Sequence, residues 1–193
     1  MKKLKPILFL VIIITILSGC GDPKYEGDFS YKVEDFTFTN QDGESVSKSD
    51  FEGKIWIADF IYTNCKTECP QMTYNKQKVE RALEDAGITD IEFVSFSIDP
   101  EHDSPEVLKE YGEVRGLDFD NWTFLTGYDF QSIKEFAIES FKTPVEKMED
   151  DTFAHGVSFF VISPEGNAIK NFNGYYLTDE QVGDVVSFIE GMQ

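Results

Sequence analysis

Two of the chain's three cysteines, Cys65 and Cys69, stand four positions apart in the stretch TNCKTECPQM, with Pro70 directly after the second. Two thiols at that spacing can cycle between dithiol and disulfide, or hold a soft metal ion as thiolates. The local backbone decides whether they can do either. On a regular helix, Cβ atoms four residues apart lie about 5–6 Å from each other, and a disulfide needs about 3.5–4.5 Å. A loop can close that gap. A purely structural disulfide across so short a loop removes little unfolded-state entropy and stabilises weakly. Redox or metal chemistry is therefore the better explanation of the pair. Outside the cytoplasm it persists as a disulfide unless a reductant or a metal keeps it open.

Two thiolates alone make a thin metal site. Soft sulfur favours Cu(I), and imidazole also suits copper, so a third ligand has to come from one of the two histidines. His102 lies in the polar turn DPEHD and reads as a solvated loop residue. His155, in TFAHGVSFF, stands just before an apolar strand with a glycine after it. A metal ligand and a buried histidine bonded to backbone fit it equally.

The elements around the pair position it. KIWIADFIY (54–62) reads as a buried strand, and Pro70 to Ala86 as a helix stopped by Gly87. Proline disfavours helical geometry for the residue before it and is comfortable as the first helical residue. Cys69 is therefore expected at a cap-like position and Cys65 in the preceding loop. The helix start favours anions and lowers thiol pKa values. Glu68 opposes this and Lys66 partly offsets Glu68, so a modest net depression is expected.

Elsewhere strand and helix signals alternate. Asp35 to Thr39 and Glu44 to Val46 flank Asp42-Gly43 and predict an N-terminal β-hairpin. Strands are expected at 91–98, 122–125, 157–162 and 168–172, the last two joined through Pro164-Glu165-Gly166-Asn167. Helices are expected from Ser104-Pro105 to about Val114, at 129–141 and at 178–191. The apolar face of the second carries Phe130, Ile133, Phe136, Ala137 and Ile138; that of the third, Val182, Val185, Val186 and Ile189. This order predicts an α/β layered domain with helices on both sheet faces.

The first twenty residues stand apart from that domain. Lys2, Lys3 and Lys5 precede the apolar run Ile7 to Leu17, which suits a signal peptide and is short for a membrane span. Leu17-Ser18-Gly19-Cys20 then resembles the lipobox of bacterial lipoproteins. That resemblance implies cleavage of residues 1–19 and lipidation of Cys20, with acyl chains such as palmitate. Two or more chains hold a protein stably on a membrane; one does not. Residues 20–30 read as the lipidated cysteine and a polar tether, and 31–193 as the folded domain. Removing residues 1–19 would take the formal net charge of −19 three units lower. Such acidity repels phosphate backbones and excludes nucleic-acid binding. It also gains nothing from anionic headgroups, which leaves the lipid as the means of attachment.

FIYTNCKTECP (60–70), DPEHDSPEVLKEY (99–111), NWTFLTG (121–127) and the late His155 before VSFFVISPEG together resemble the Sco/SenC family over about residues 50–190. The resemblance implies a thioredoxin-like, peroxiredoxin-related fold with a central mixed sheet. It implies a membrane-anchored protein on the extracytoplasmic face that binds copper, Cu(I) or Cu(II). Its role would be to help mature the dinuclear copper centre of cytochrome c oxidase subunit II. Carried onto this chain, the ligands are Cys65, Cys69 and His155, and the two cysteines also form the redox pair and the disulfide Cys65–Cys69. Asp99 is a weak or outlying ligand on the same grounds, with turn formation before Pro100 as its alternative. Where many relatives carry an acidic residue before the histidine, this chain has Ala154, so another acceptor must orient the imidazole. Two other roles are open: a thiol–disulfide oxidoreductase that reduces the target's cysteines, and a copper or redox sensor. Oxidoreductase cycling requires a thiol reductant of the thioredoxin-like type.

Overall fold

Strand β4 (Ile55–Ile61) is buried along its whole length. Its side chains alternate between two faces, and apart from Asp59 both faces are apolar. Such a strand is stable only inside a sheet covered on both sides. The computed structural model, which describes residues 25–193, places β4 at the centre of an eight-stranded mixed sheet. Strands β5 (Ile91–Ser97) and β6 (Trp122–Thr126) continue it in parallel on one side. On the other side β9 (Ser158–Ile162), β10 (Asn167–Asn173) and the short β1 (Tyr31–Lys32) follow, each antiparallel to its neighbour. The N-terminal hairpin, β2 (Thr37–Asn40) and β3 (Ser45–Ser47), closes the far edge, with β2 antiparallel to β6.

Parallel neighbours need crossover connections. Helix α1 (Glu68–Asp85) joins β4 to β5, and α2 (Pro105–Val114) joins β5 to β6. The Ser104 hydroxyl caps α2 by accepting the Val107 N–H, with Pro105 in the first turn. Asp129 caps α3 (Phe130–Phe141) through the Ser132 N–H at 2.7 Å, and Thr178 with Gln181 forms a capping box on α4 (Asp179–Glu190). Lys76 of α1 reaches Asp59 of β4, and Tyr111 of α2 bonds Thr73 of α1, so these two helices share one sheet face. Helix α4 packs beside α1. On the opposite face Phe136 and Phe141 of α3 lie 5.0 Å from Phe96 and 5.3 Å from Phe60 between ring centroids.

Three local expectations are corrected. Helix α1 begins two residues before Pro70, with Thr67 as N-cap, so Cys69 sits inside the first turn. Proline is tolerated there because the first amide donors of a helix have no intrahelical partner in any case. Ile138 is 43% exposed, because the buried face of α3 runs through Ile133, Phe136, Ala137 and Ser140 and position 138 turns away from it. Residues 143–155, for which no strand was expected, hold β7 (Val145–Lys147) and β8 (Phe153–His155), which among the described residues pair only with each other.

Within the segment read as a tether, the Phe29 N–H donates to the Ile169 carbonyl at 3.3 Å and Asp28 pairs with Lys170 at 2.8 Å. Residues 1–19 and Cys20 lie outside the described residues. Among the described residues no helix is long and apolar enough to cross a membrane.

Candidate metal centre

The site is built at the carboxyl end of β4, where open α/β sheets characteristically place their ligands. The chain leaves the sheet at Tyr62 and Thr63. The Cys65 N–H donates to the Tyr62 carbonyl at 3.2 Å, which turns the loop back toward α1. Asp103, fully buried, fastens this loop from forty residues away. Its carboxylate accepts the Thr63 N–H (3.2 Å), the Thr63 hydroxyl (2.5 Å) and the Ser97 hydroxyl (2.6 Å). Burial pushes the Asp103 pKa up, and the hydrogen bonds from Ser97 and Thr63 work against that.

Both cysteines are buried and neither is in a disulfide. The Cys69 N–H, in the first turn of α1, donates to Cys65 Sγ at 3.3 Å. The two thiols behave oppositely. Cys65 is lowered to about 5, first by the hydrogen bond from the Cys69 thiol, then by the N–H groups of Cys69 and Thr67 and the Tyr62 hydroxyl, against the cost of burial. Cys69 is pushed far up, because donating that bond and being buried both favour its protonated form. Glu68 Oε2, 3.8 Å from Cys65 Sγ, is a like charge beside the thiolate, but at that distance it is outweighed by the donors. The sequence pointed to a modest effect shared by the pair. The helix terminus instead directs its donors at Cys65 and leaves Cys69 as the donor.

His155 ends β8, eighty-six residues from Cys69, and its Nε2 stands 3.6 Å from Cys69 Sγ. Nδ1 is 2.9 Å from the Gly156 carbonyl. A carbonyl only accepts, so Nδ1 carries the proton and Nε2 turns its lone pair toward the sulfur. This backbone oxygen is the orienting acceptor that Ala154 does not supply. Burial keeps the imidazole pKa low, so the ring is neutral and able to ligate. Gly156 is required by close approach: a Cβ there would lie 2.4 Å from Thr143 Oγ1. Tyr62 walls the site, its ring 6.1 Å from that of His155 and nearly perpendicular to it. Burial first, then the Cys65 charge, raise the Tyr62 pKa to about 12.

Two donors on one ion, at bond lengths of about 2.0 Å for nitrogen and 2.3 Å for sulfur, stand roughly 3.7 Å apart at a trigonal angle. The Cys69–His155 separation of 3.6 Å matches this. Cys65 Sγ is turned into the helix terminus, and among the described residues no group of three such side chains already forms a ligand cluster. Two thiolates and an imidazole nonetheless fit a copper ion in chemistry.

Asp99 lies in the turn between β5 and α2. Its carbonyl accepts the N–H groups of His102 and Asp103, and it shares a cavity of about 80 Å³ with Pro100, Glu101, Phe130, Lys147 and Phe153. Burial raises its pKa, with His102 and Lys147 working against it. His102 is exposed.

Behind Cys69 lies a charged pair that the sequence reading passed over. Lys76 and Asp59, both fully buried, meet at 2.7 Å; Ser95 Oγ donates to the same Asp59 oxygen at 2.7 Å, and the Lys76 ammonium lies 4.8 Å from the Trp122 ring centroid. Asp59, the one acidic residue in KIWIADFIY, was the available signal.

The family model described as SCO1/SenC matches residues 26–190. The chain belongs to the SCO1/SenC family. The SCO1 protein homolog of Bacillus subtilis (strain 168) is 43% identical over 179 residues, covering 91% of this chain and 92% of the relative. A SCO1/SenC family lipoprotein from Bacillus anthracis superposes with a TM-score of 0.80 at 38% identity, over 84% of this chain and 95% of that one. The structure of BsSco, described through a disulfide switch and as a member of the Sco family of cytochrome c oxidase assembly proteins, gives 0.79 at 42% identity, over 88% and 98%. ScoI from Arabidopsis thaliana with copper bound gives 0.71 at 26% identity, over 82% and 98%. The fold is thioredoxin-like, as expected of a SCO1/SenC protein.

Proposed function

We propose that this SCO1/SenC protein binds copper through Cys65, Cys69 and His155 and assists assembly of cytochrome c oxidase by maturing the dinuclear copper centre of subunit II. The observation that carries the reading is the approach of His155 Nε2 to 3.6 Å from Cys69 Sγ across eighty-six residues of chain. Copper is the cargo, held at the end of β4 and passed on by exchange of thiolate ligands. Oxidation of the pair to a disulfide removes two electrons and the one thiol proton, that of Cys69, and with them both sulfur ligands, so redox state gates binding. A lipid on Cys20 anchors the domain to the extracytoplasmic face of the cell membrane, where it meets its membrane-bound target; the lipoprotein relative supports this. Anaerobic copper titration of the reduced protein tests the reading. One copper with sulfur and nitrogen ligation is expected, lost once the disulfide forms. Equal affinity in the oxidised protein would overturn it.

A second reading has its own support in the unequal thiols. A thiolate at Cys65 beside a protonated thiol at Cys69 suits a thiol–disulfide oxidoreductase. Cys65 attacks a target disulfide, Cys69 resolves the mixed disulfide, the target leaves as a dithiol, and a thioredoxin-like reductant restores the pair. This activity needs no imidazole, so complementation by His155→Ala would favour it over copper delivery.

A further inference from the structure

The sulfurs and the imidazole belong to two separate pieces of structure, and the turn of residues 99–103 touches both. On one side Glu101 pairs with Lys147 of the hairpin at 3.4 Å, and Asp99, Pro100 and Glu101 line a cavity together with Phe153. On the other side Asp103 meets Thr63, two residues before Cys65, through the Thr63 N–H at 3.2 Å and the Thr63 hydroxyl at 2.5 Å. The turn is fixed by its own bonds. The Asp99 carbonyl accepts the His102 and Asp103 N–H groups at 3.0 and 2.8 Å. The Asp99 N–H donates to Ser97 Oγ at 3.1 Å, and that hydroxyl donates to Asp103 Oδ2 at 2.6 Å. The Asp103 carboxylate is therefore held against Thr63 from a braced support. These three donors are all neutral, and the carboxylate is fully buried. Burying a charge without a counter-charge is costly, so net stability is a poor account of these bonds and alignment of the Cys65 loop is a better one.

We propose that Asp103 is a positioning residue: its carboxylate holds the Cys65 loop in the form that presents two open sulfurs, and so biases the pair toward dithiol over disulfide. The reason is preorganisation. In the open pair, hydrogen bonds alone keep Cys65 Sγ at 3.3 Å from the Cys69 N–H. In the disulfide a covalent bond restrains the same loop. Loss of the Asp103 bridge therefore costs the open form more. The proposal deepens the redox gating of copper binding and rests on that reading for its consequence, while the bridge itself needs no metal.

The test is made on the full metal-free chain and its Asp103→Ala and Asp103→Asn variants. Amide hydrogen exchange is read at Thr63 in the reduced protein, and the dithiol–disulfide equilibrium is read against a dithiothreitol buffer. In that buffer the reagent closes to a cyclic disulfide; two electrons and one proton go to the protein pair, and the second proton goes to solvent. Asparagine keeps the bridge, because its carbonyl accepts the Thr63 N–H and its amide donates to a hydroxyl that can accept. The Thr63 amide should be protected in the parent and exchange at least about tenfold faster in Asp103→Ala, with amides of β4 and β5 unchanged. The equilibrium should move about tenfold toward disulfide in Asp103→Ala, which is about 30 mV for a two-electron couple. Asp103→Asn should stay close to the parent in both. The proposal is overturned if the parent Thr63 amide exchanges at the unprotected rate, if folded Asp103→Ala leaves either quantity unchanged, or if Asp103→Asn moves as far as Asp103→Ala. Should Asp103→Ala not fold, Thr63→Val removes the hydroxyl donor and keeps the side-chain shape; it should move the equilibrium toward disulfide, and no movement overturns the proposal. Equal copper affinity in the oxidised and reduced parent defeats the gating instead, and the exchange and equilibrium measurements still decide the role of Asp103.

Discussion

The loop that carries Cys65 and the hairpin that carries His155 are held by different forces. The loop grows out of the central buried strand and is bound by the fully buried Asp103 and by the first turn of an eighteen-residue helix. Among the described residues the hairpin pairs with no strand but its own partner. A two-stranded ribbon is marginal by itself in water, so its place depends on burial of Val145 and on the ring contacts of Phe153 with Tyr62 and Phe130, with the ion pairs Lys134–Glu146 and Lys147–Glu101 at its surface. The sulfurs therefore belong to the scaffold, and the imidazole arrives on an attached arm. Substitutions on the two sides should fail differently.

The largest effect belongs to the loop's electrostatics. Alkylation of the reduced, metal-free protein should show one thiol with a midpoint near pH 5, against an ordinary value near 9, and a second that reacts only on unfolding. The sign for stability follows from linkage. A folded pKa below the unfolded one stabilises the protein above the unfolded value, and that contribution is lost as the pH falls from about 9 through about 5. Two thiols titrating together near 9 would remove the asymmetry.

Next comes the scaffold beneath Cys69. Lys76→Met leaves the Asp59 carboxylate buried without its cation, with Oδ2 already lacking a partner. Breaking such a pair costs about 3–5 kcal/mol, to be read from denaturant unfolding. A loss no larger than that of an exposed lysine would show that the pair does not support α1 at this point.

Removing a ligand separates the two regions directly. Cys69→Ala should lower copper affinity by more than about 100-fold, beyond what loss of a ligand's supporting partner costs. His155→Ala should also lower copper affinity, by less than Cys69→Ala does, while Cys65 keeps its low alkylation midpoint. If His155→Ala binds as tightly as the parent, the imidazole is no ligand.

The same contrast explains what could be read from the sequence. Strand β4, helix α1 and the start of α2 at Ser104-Pro105 follow from local rules about apolar runs, proline and capping, and all are present. The CxxxC pair is local too, so its setting at a strand–helix junction was legible. The hairpin was not. VEK and FAH are three-residue strands, too short to show a period, and their partner is each other. Nor could spacing show that Cys65 alone receives the donors of the helix terminus, or that Tyr62, one more aromatic in an apolar run, packs against the hairpin. The resemblance to Sco/SenC proteins supplied His155; the structure supplied the oxygen of Gly156 that aims it.

The smallest effect expected is the one at Lys147. It pairs with Glu101, outside the arm, at 3.4 Å and with Asp151, within it, at 3.5 Å, and both partners are largely exposed. These pairs look like the latch of the hairpin, but exposed ion pairs are screened by water and salt, and ordering the side chains offsets the attraction. Burial of Phe153 against Tyr62 and Phe130 has no such offset. Lys147→Ala should therefore leave both the melting temperature and copper affinity unchanged within error, and 1 M salt should do no more to the parent than to the variant. A clear loss of copper affinity in Lys147→Ala, suppressed by salt, would show that charge rather than packing holds the arm to the loop.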